Sequence, residues 1–451
     1  MKRKVFYSLL VGVLVCTFAV VTTACSTNGG KSSQKKGMPV AVVHTYDGMM
    51  VIDTNGTELF DASVYKSVMT FSEGLAAVVD KNDMLGFVNK NGKIVIPCQF
   101  QYDDSFSGWD WGFGRNMRRR NMFHDGYARI ESLEQSIFID KHGKQLLKDY
   151  KVVNWNQDVA IVLKEGSYGL VDMSGRVILS PEEGKELDIL EFCGDNMLRY
   201  GIGDYYGNMD EKGKIITDPK YVYAADFVDG YALVGKKTDD RYVVDVCVID
   251  TKGKVQKKLD LDECLYSELR QGYLSQKLFS DGVMVSNCEG FGEQKTNYIY
   301  NSKYDVITLD YYYCSEFQDG LSATMPKSSR YYGFINTKGE MVIPAQFEQS
   351  GYYDDFSKPF SEGLCFAKQN KKWTVIDKKG NTISVLDGID EPVSVFVAGR
   401  ACVRIGYHHS HFAFVDRFGN EMPIPMERST IFFYSDSDNS DDDYCEYWGR
   451  F

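Results

Sequence analysis

The stretch "GFVNKNGKIVIPCQF" at 86–100 returns 247 residues later as "GFINTKGEMVIPAQF" at 333–347, with nine of fifteen positions identical. Its centre is Asn, two variable residues and Gly, and its flanks are β-branched and aromatic. Asn or Asp at a tight turn accepts hydrogen bonds from backbone amides two residues on, and Gly supplies the left-handed conformation that closes it. The stretch therefore reads as strand, turn, strand. Weaker copies run down the chain: "VIDTNG", "FIDKHG", "LVDMSG", "NMDEKG", "VIDTKG", "VIDKKG" and "FVDRFG", ending at Gly56, Gly143, Gly175, Gly213, Gly253, Gly380 and Gly419. A degenerate copy, "YIYNSKYDVI" at 298–307 with Lys303 at the glycine position, fills the double gap between Gly253 and Gly339. Ten units result, at a mean spacing of about 40 residues.

A second phrase precedes the hairpins: "FSEGLAAV" (71–78), "FHDGYARI" (123–130), "FVDGYALV" (227–234), "FSDGVMVS" (279–286), "FQDGLSAT" (317–324) and "FSEGLCFA" (360–367). Phe, an acidic residue, Gly and an alternating apolar run read as a turn feeding a further strand. One unit is then three short antiparallel strands, too small to bury its own face, so neighbouring units cover each other. The expected fold is all-β, about ten such repeats in a curved solenoid or superhelix. The alternative is a closed propeller-like ring or two small propellers, although ten units exceed the usual four to eight blades. Abundant Tyr (30) and Phe (27) with scarce Pro (10) favour β-structure.

The unit "F-S-E-G-L-A … Y-G-F-I-N-T-K-G-E-M-V-I-P-A-Q-F" resembles the WG β-repeat family over roughly Met38 to Tyr434. The Trp-Gly pair of that family appears here as Tyr168-Gly169, Tyr206-Gly207, Tyr332-Gly333 and Leu85-Gly86, while Trp373 lacks its Gly. The resemblance implies a repeat-built β-structure with a binding role and carries over no catalytic residue.

The N-terminus "MKRKVFYSLLVGVLVCTFAVVTTAC" has a basic start, an apolar run and small residues before Cys25. That is the form of an export signal. "TTAC" resembles a bacterial lipobox, with Thr22 in place of the usual Leu. The expected layout is a lipoprotein signal at 1–24, a tether at 25–37 acylated on Cys25, repeats at 38–434 and an acidic tail at 435–451. The expected location is extracytoplasmic, held to a membrane through the N-terminal lipid. The net charge is −12, and losing Lys2, Arg3 and Lys4 leaves about −15, which argues against nucleic acid as a partner. Eleven cysteines show no C-x-x-C pair, which supports neither zinc nor a fully paired disulfide framework. Cys365, Cys98 and Cys247 stand in the slots of Ala76, Ala345 and Gly86, so they read as small buried residues.

Function is sought where the units differ. The long spacing from Gly92 to Gly143 holds "FSGWDWGFGRNMRRRNMF", with Trp109, Trp111, Phe113, Arg115, Arg118, Arg119 and Arg120. Exposed aromatics and an arginine cluster on an inserted loop form a candidate ligand site for a glycan, protein or anionic polymer. "DECLYSELRQGYLSQKLF" (262–279) reads as a helical cover over a sheet edge. "YHHSHF" (407–412) places His408, His409 and His411 at a hairpin tip, where a polar tip is the plainer reading than a metal site. The tail "SDSDNSDDD" lacks the Gly of a calcium loop. No metal or cofactor is expected. The function read is a non-catalytic, surface-anchored binding or scaffolding protein. The alternative is a carbohydrate-active or cell-wall enzyme using the Asp pairs Asp103-Asp104 and Asp354-Asp355.

Overall fold

The computed structural model describes residues 17–19, 40–45, 48–53, 55–69, 71–102, 121–131, 136–238, 244–259, 279–287, 297–349, 358–405 and 411–422. Among these residues the hairpin turns form as their chemistry requires. Asp53 Oδ1 accepts the N–H groups of Asn55 (2.8 Å) and Thr57 (2.9 Å), and Gly56 stands at φ 78. Asn or Asp does the same in every other unit, as at Asn89, which accepts from Asn91 N–H at 3.0 Å, and at Asp416, which accepts from Phe418 N–H at 2.8 Å. In the degenerate seventh unit the left-handed position belongs to Tyr304, φ 58, and not to Lys303. Tyr304 N–H donates to Asn301 O as Gly56 N–H does to Asp53 O, which fixes the correct alignment of that copy.

Unit 1 contains β1 (Thr17–Ala19), β2 (Val40–Thr45), β3 (Gly48–Asp53) and β4 (Glu58–Asp61). Unit 2 contains β5 (Ser67–Val68), β6 (Leu75–Val79), β7 (Met84–Asn89) and β8 (Ile94–Gln101). Among the described residues ten such antiparallel sheets follow one another, each a meander whose strand order is the chain order. Six of them have four strands, which corrects the three-strand expectation. The extra strand comes before the Phe-acid-Gly turn and is as short as two residues in Ser67–Val68 and Tyr223–Ala224, too short to show a period in sequence. The one described helix is a 3-10 turn at Glu183–Glu186.

The second strand of a unit does not alternate between core and solvent. All five residues of β6 are buried, because both faces of the sheet are covered. Ala76, Val78 and Val88 pack on Val42 and Val51 of unit 1, while Leu75, Ala77, Leu85 and Phe87 pack on Phe123, Ala128 and Ile139 of unit 3. One such apolar cluster sits at every junction from units 1–2 to units 9–10. Each fully buried Phe at these junctions, such as Phe334 or Phe360, contributes about 1.5–3 kcal/mol. The hairpin glycines add a steric requirement: a Cβ on Gly380 would lie 2.6 Å from Ile343 Cγ2 of the unit before, and one on Gly92 2.7 Å from the Phe60 ring.

Candidate functional site

Among the described residues, each sheet from unit 2 onward has two unlike ends. At one end lie the turn before the second strand, Phe-acid-Gly or a degenerate form of it, and the Asx-x-x-Gly hairpin. At the other lie the loop between the second and third strands and the link to the next unit. Tyr102 N–H, just past β8, donates to Asp83 O in the loop between β6 and β7, which places both connections of unit 2 together.

The turn end is taken up by contacts between successive units. Ser72 Oγ donates to Phe123 O (2.5 Å), and Glu73 Oε2 accepts from Gly126 N–H (3.0 Å). The pair Ser280–Asp281 holds Phe317 O and Gly320 N–H in the same way, the latter at 2.7 Å. Ser361 Oγ reaches Phe396 O at 2.7 Å, while Glu362 accepts from Ala398 and Gly399 N–H, both at 2.7 Å. Asp195 and Asp319 supply the carboxylate alone, to Gly230 and Gly363, each at 2.6 Å. A charge-assisted bond of this kind contributes about 1.5–3 kcal/mol where water is excluded and less at an open turn. The acidic residue itself takes positive φ, as at Glu73 (50) and Asp319 (56), and the following Gly as well. Lys141 and Lys378, from hairpins of the following units, reach Glu73 (2.9 Å) and Asp319 (3.3 Å). These acids therefore hold the stack together.

Two buried arginines do the same inside the stack. Arg199 Nη1 donates to Ala224 O (2.5 Å) in unit 6, and its guanidinium pairs with Glu191 (2.6 Å) and Asp226 (3.3 Å). Burial alone would lower its pKa, but the two carboxylates more than offset that and raise it. Arg129, at the corresponding place in unit 3, donates to Val152 O and Val153 O of unit 4. Neither pattern was visible in sequence, because an arginine in an apolar strand looks like an edge residue.

The described cysteines Cys98, Cys193, Cys247, Cys314, Cys365 and Cys402 are all free thiols. Burial raises the Cys193 thiol and pushes Cys402 up to about 12, so they are poor nucleophiles at neutral pH. Cys365 and Ala76 take the same buried slot, at 1% and 0% exposure, as the repeat alignment implied. Among the described residues no group of three His, Cys, Asp or Glu is arranged to hold a metal. No described helix is long and apolar enough to cross a membrane.

The sequence candidates mostly fall outside the described residues. Trp109, Trp111, Phe113, Arg115, Arg118, Arg119 and Arg120 do, as do Asp103, Asp104, Asp354, Asp355, His408, His409, Cys25, the 262–278 segment and the acidic tail. His411 is described only as a strand residue opposite Ile405. Chain connections still locate where these segments start and finish. Residues 103–120 leave at Tyr102, at the loop end of unit 2, and re-enter at Asn121, two residues before the Phe123 turn of unit 3, where Asn121 N–H donates to Arg129 O. The segments 239–243, 288–296 and 406–410 join second to third strands at the loop end, whereas 260–278 and 350–357 leave a fourth strand at the loop end and re-enter beside the next turn, at Phe279 and Lys358. Sequence reasoning missed three degenerate turns, at Trp155–Asp158, Cys193–Asn196 and Phe396–Gly399. Only the positive φ of Asp195 (48), Asn196 (57) and Ala398 (50) and the unit spacing reveal the last two.

These features define an all-β repeat protein of stacked antiparallel sheets. The model of the WG containing repeat matches the chain at 49–83, 86–108, 206–237 and 332–373. Each of the longer matches runs from the third strand of one sheet into the second strand of the next, so the sequence repeat straddles a junction. No curated protein matches the chain. Similar solved structures include a eukaryotic initiation factor (12% identity, 67% of this chain and 83% of that one, TM-score 0.37). BamB from Moraxella catarrhalis (11%, 76% and 89%, TM-score 0.26) and dipeptidyl peptidase 4 from Porphyromonas gingivalis (9%, 79% and 58%, TM-score 0.36) are others. At these scores neither architecture nor activity transfers to this chain.

Proposed function

We propose that the protein is a non-catalytic scaffold, exported and anchored by a lipid on Cys25, that presents its loop end to a glycan or protein of the cell envelope. The observation that carries this reading is the asymmetry of the sheets. Turn chemistry and inter-unit bonds occupy one end, whereas the long insertions leave their sheets at the other. Inserted loops on a rigid scaffold are where binding residues accumulate. The binding residues are assigned to the insertion after unit 2: Trp109, Trp111 and Phe113 for stacking, with Arg115, Arg118, Arg119 and Arg120 for anionic groups. On this reading β1 belongs to the leader and is removed on export.

The test is retention on purified envelope glycans and proteins. Replacing Trp109 and Trp111 together with Ala is expected to weaken retention about tenfold or more while leaving the thermal midpoint in place. Unchanged retention would remove this loop as the site. In the same experiment Cys25→Ala is expected to release the protein from the membrane fraction, and a membrane-bound variant would end the lipoprotein reading.

A further inference from the structure

The hairpin tips carry charge of one sign. From unit 2 to unit 10, the two residues between the Asx and the residue that closes the turn include nine Lys or Arg and one acid, Glu211, in a chain with 63 acids against 51 Lys and Arg. Met173-Ser174 in unit 4 is the one tip of these nine without a cation. Lys141 and Lys378 reach Glu73 and Asp319 of the preceding units, and Lys303 lies over the Tyr231 ring at 5.9 Å. Lys90, Lys212, Lys252, Lys338, Lys379 and Arg417 are exposed and, among the described residues, form no ion pair.

The acids of the turn end do not cancel this row, because they are turned onto backbone N–H groups. Asp377 accepts from Lys379 and Asn381 N–H in its own hairpin, and Glu362 from Ala398 and Gly399 N–H of the next unit. The tips also stand side by side. A Cβ on Gly253 would lie 3.0 Å from Ile216 O of unit 5, and one on Gly213 3.2 Å from Ile178 of unit 4, so each tip packs closely on the sheet before it. Sheets packed face to face lie roughly 10 Å apart, which spaces the cations evenly. Phe418 joins the row beside Arg417, its N–H fixed on Asp416 Oδ1 at 2.8 Å. At 61% exposure it is the most exposed large apolar side chain among the described residues.

We infer that the turn end rests on an anionic lipid surface, with the tip cations among the headgroups and Phe418 entering between them. Eight of the nine tip cations are Lys, a mobile point charge, where a positioned phosphate or carboxylate favours the fork of Arg. The turn amides that could single out one bound group are already donated inside the hairpins, as Lys338 and Glu340 N–H are to Asn336. The row therefore reads charge over an area and not the shape of a ligand, which fits a surface of mobile anionic headgroups. Phe418 adds an apolar contact from which a soluble polyanion gains nothing. This rests on the scaffold reading only in leaving the loop end free to face outward, and it makes no use of the lipid on Cys25.

The test floats the purified, unlipidated full chain with vesicles of phosphatidylcholine alone and of phosphatidylcholine with phosphatidylglycerol. Binding is expected to be tighter on the anionic vesicles and to fall as salt rises. Two triple variants keep the same leader, so its own affinity cancels between them. One carries Lys338→Glu, Lys379→Glu and Arg417→Glu at the tips; the other carries Lys81→Glu, Arg330→Glu and Lys371→Glu in loops between second and third strands. The tip variant is expected to lose at least about tenfold in affinity for anionic vesicles and the loop variant less than about threefold, with both thermal midpoints near that of the parent. Lysine acetylation followed by peptide mapping needs no substitution: anionic vesicles are expected to protect Lys252, Lys338 and Lys379 and to leave Lys81 and Lys371 reactive. Equal losses in the two variants, or equal protection at the two ends, overturn the lipid face. Tip-dependent binding to soluble polyphosphate without binding to vesicles overturns it as well, and assigns the row to a polymer. Retention on envelope glycans through Trp109 and Trp111 is a separate readout, and a salt wash separates tip contacts from the lipid anchor in the Cys25→Ala experiment, so each reading fails on its own result.

Discussion

Units 8 and 6 are both four-stranded meanders of this repeat, yet they part at one position of the third strand. In unit 8 the third strand, Tyr332–Asn336, pairs Tyr332 with Phe347 and Phe334 with Ile343, so Pro344, Ala345 and Gln346 together stand across from Gly333. In unit 6 the corresponding strand, Val244–Asp250, keeps continuous register there: Val246 with Leu259, Cys247 with Lys258, Val248 with Lys257. A Cβ on Gly333 would lie 2.4 Å from Ile343 O and 2.8 Å from Ala345 N, both backbone atoms that cannot swing aside. The glycine of the Trp-Gly pair is therefore the counterpart of a bulge in the fourth strand, and the bulge carries the proline. Gly86 and Gly207 repeat the arrangement opposite Pro97 and Pro219. Cys247 faces "VQKKL", which has no proline, and Thr374 after Trp373 faces an unbulged Val385.

The largest effect should come from giving both units the same residue. Gly333→Ala is expected to cost about 3 kcal/mol, because the bulge must shift to admit the methyl group. Cys247→Ala in the unbulged unit should cost about 1 kcal/mol, the loss of a small buried thiol. Urea unfolding of the two variants measures the difference. Equal costs would break the link between glycine and bulge.

A middling effect is expected at the turns. Glu362→Ala removes the acceptor of two N–H groups, Ala398 and Gly399, and should cost about 1–2 kcal/mol. Amide exchange at those two positions should quicken, while the hairpin amides of Lys379 and Asn381, which bond to Asp377 of their own unit, stay as they were. Acceleration spread over the whole of unit 10 would mean that the clamp and the apolar junction open together.

Much of the architecture was legible from short phrases, since a tight turn admits few residue types and leaves the same letters in each copy. The number of units, the hairpins and the small-residue slots of Cys365 and Ala76 followed from that. The short first strands did not, because two residues such as Ser67–Val68 carry no period. The seventh turn was misaligned by one residue, because Tyr304 does with φ 58 what Gly does elsewhere and nothing in its side chain announces it. The carboxylate clamp was hidden for another reason: its two partners lie 53 residues apart at Glu73 and Gly126, so local pattern shows the acid but not what it holds. Trp109 and its neighbours were legible as an addition only because the units around them keep time.

The smallest effect compares two hairpin tips, one built on an ionisable Asp and the other on Asn. Asp172 is held down to about 2 from its usual 3.8, first by the Ser174 hydroxyl and further by Arg176 and the turn amides. Asn89 fills the same place with an amide oxygen, accepting from Asn91 at 3.0 Å and Lys93 at 3.1 Å, and has no proton to gain. Because the folded pKa is depressed, the contribution of Asp172 is complete above the unfolded value near 4 and is lost as pH falls towards 2. The tip at Asn89 should keep its exchange protection across that window, and the tip at Asp172 should lose part of its own. Asp172→Asn should abolish the difference with little change at neutral pH, since the two backbone acceptor bonds survive. Amide exchange at Ser174 and Arg176, followed from pH 5 to pH 2 in both proteins, measures it. If the variant stays as acid-sensitive as the parent, protonation elsewhere governs the tip.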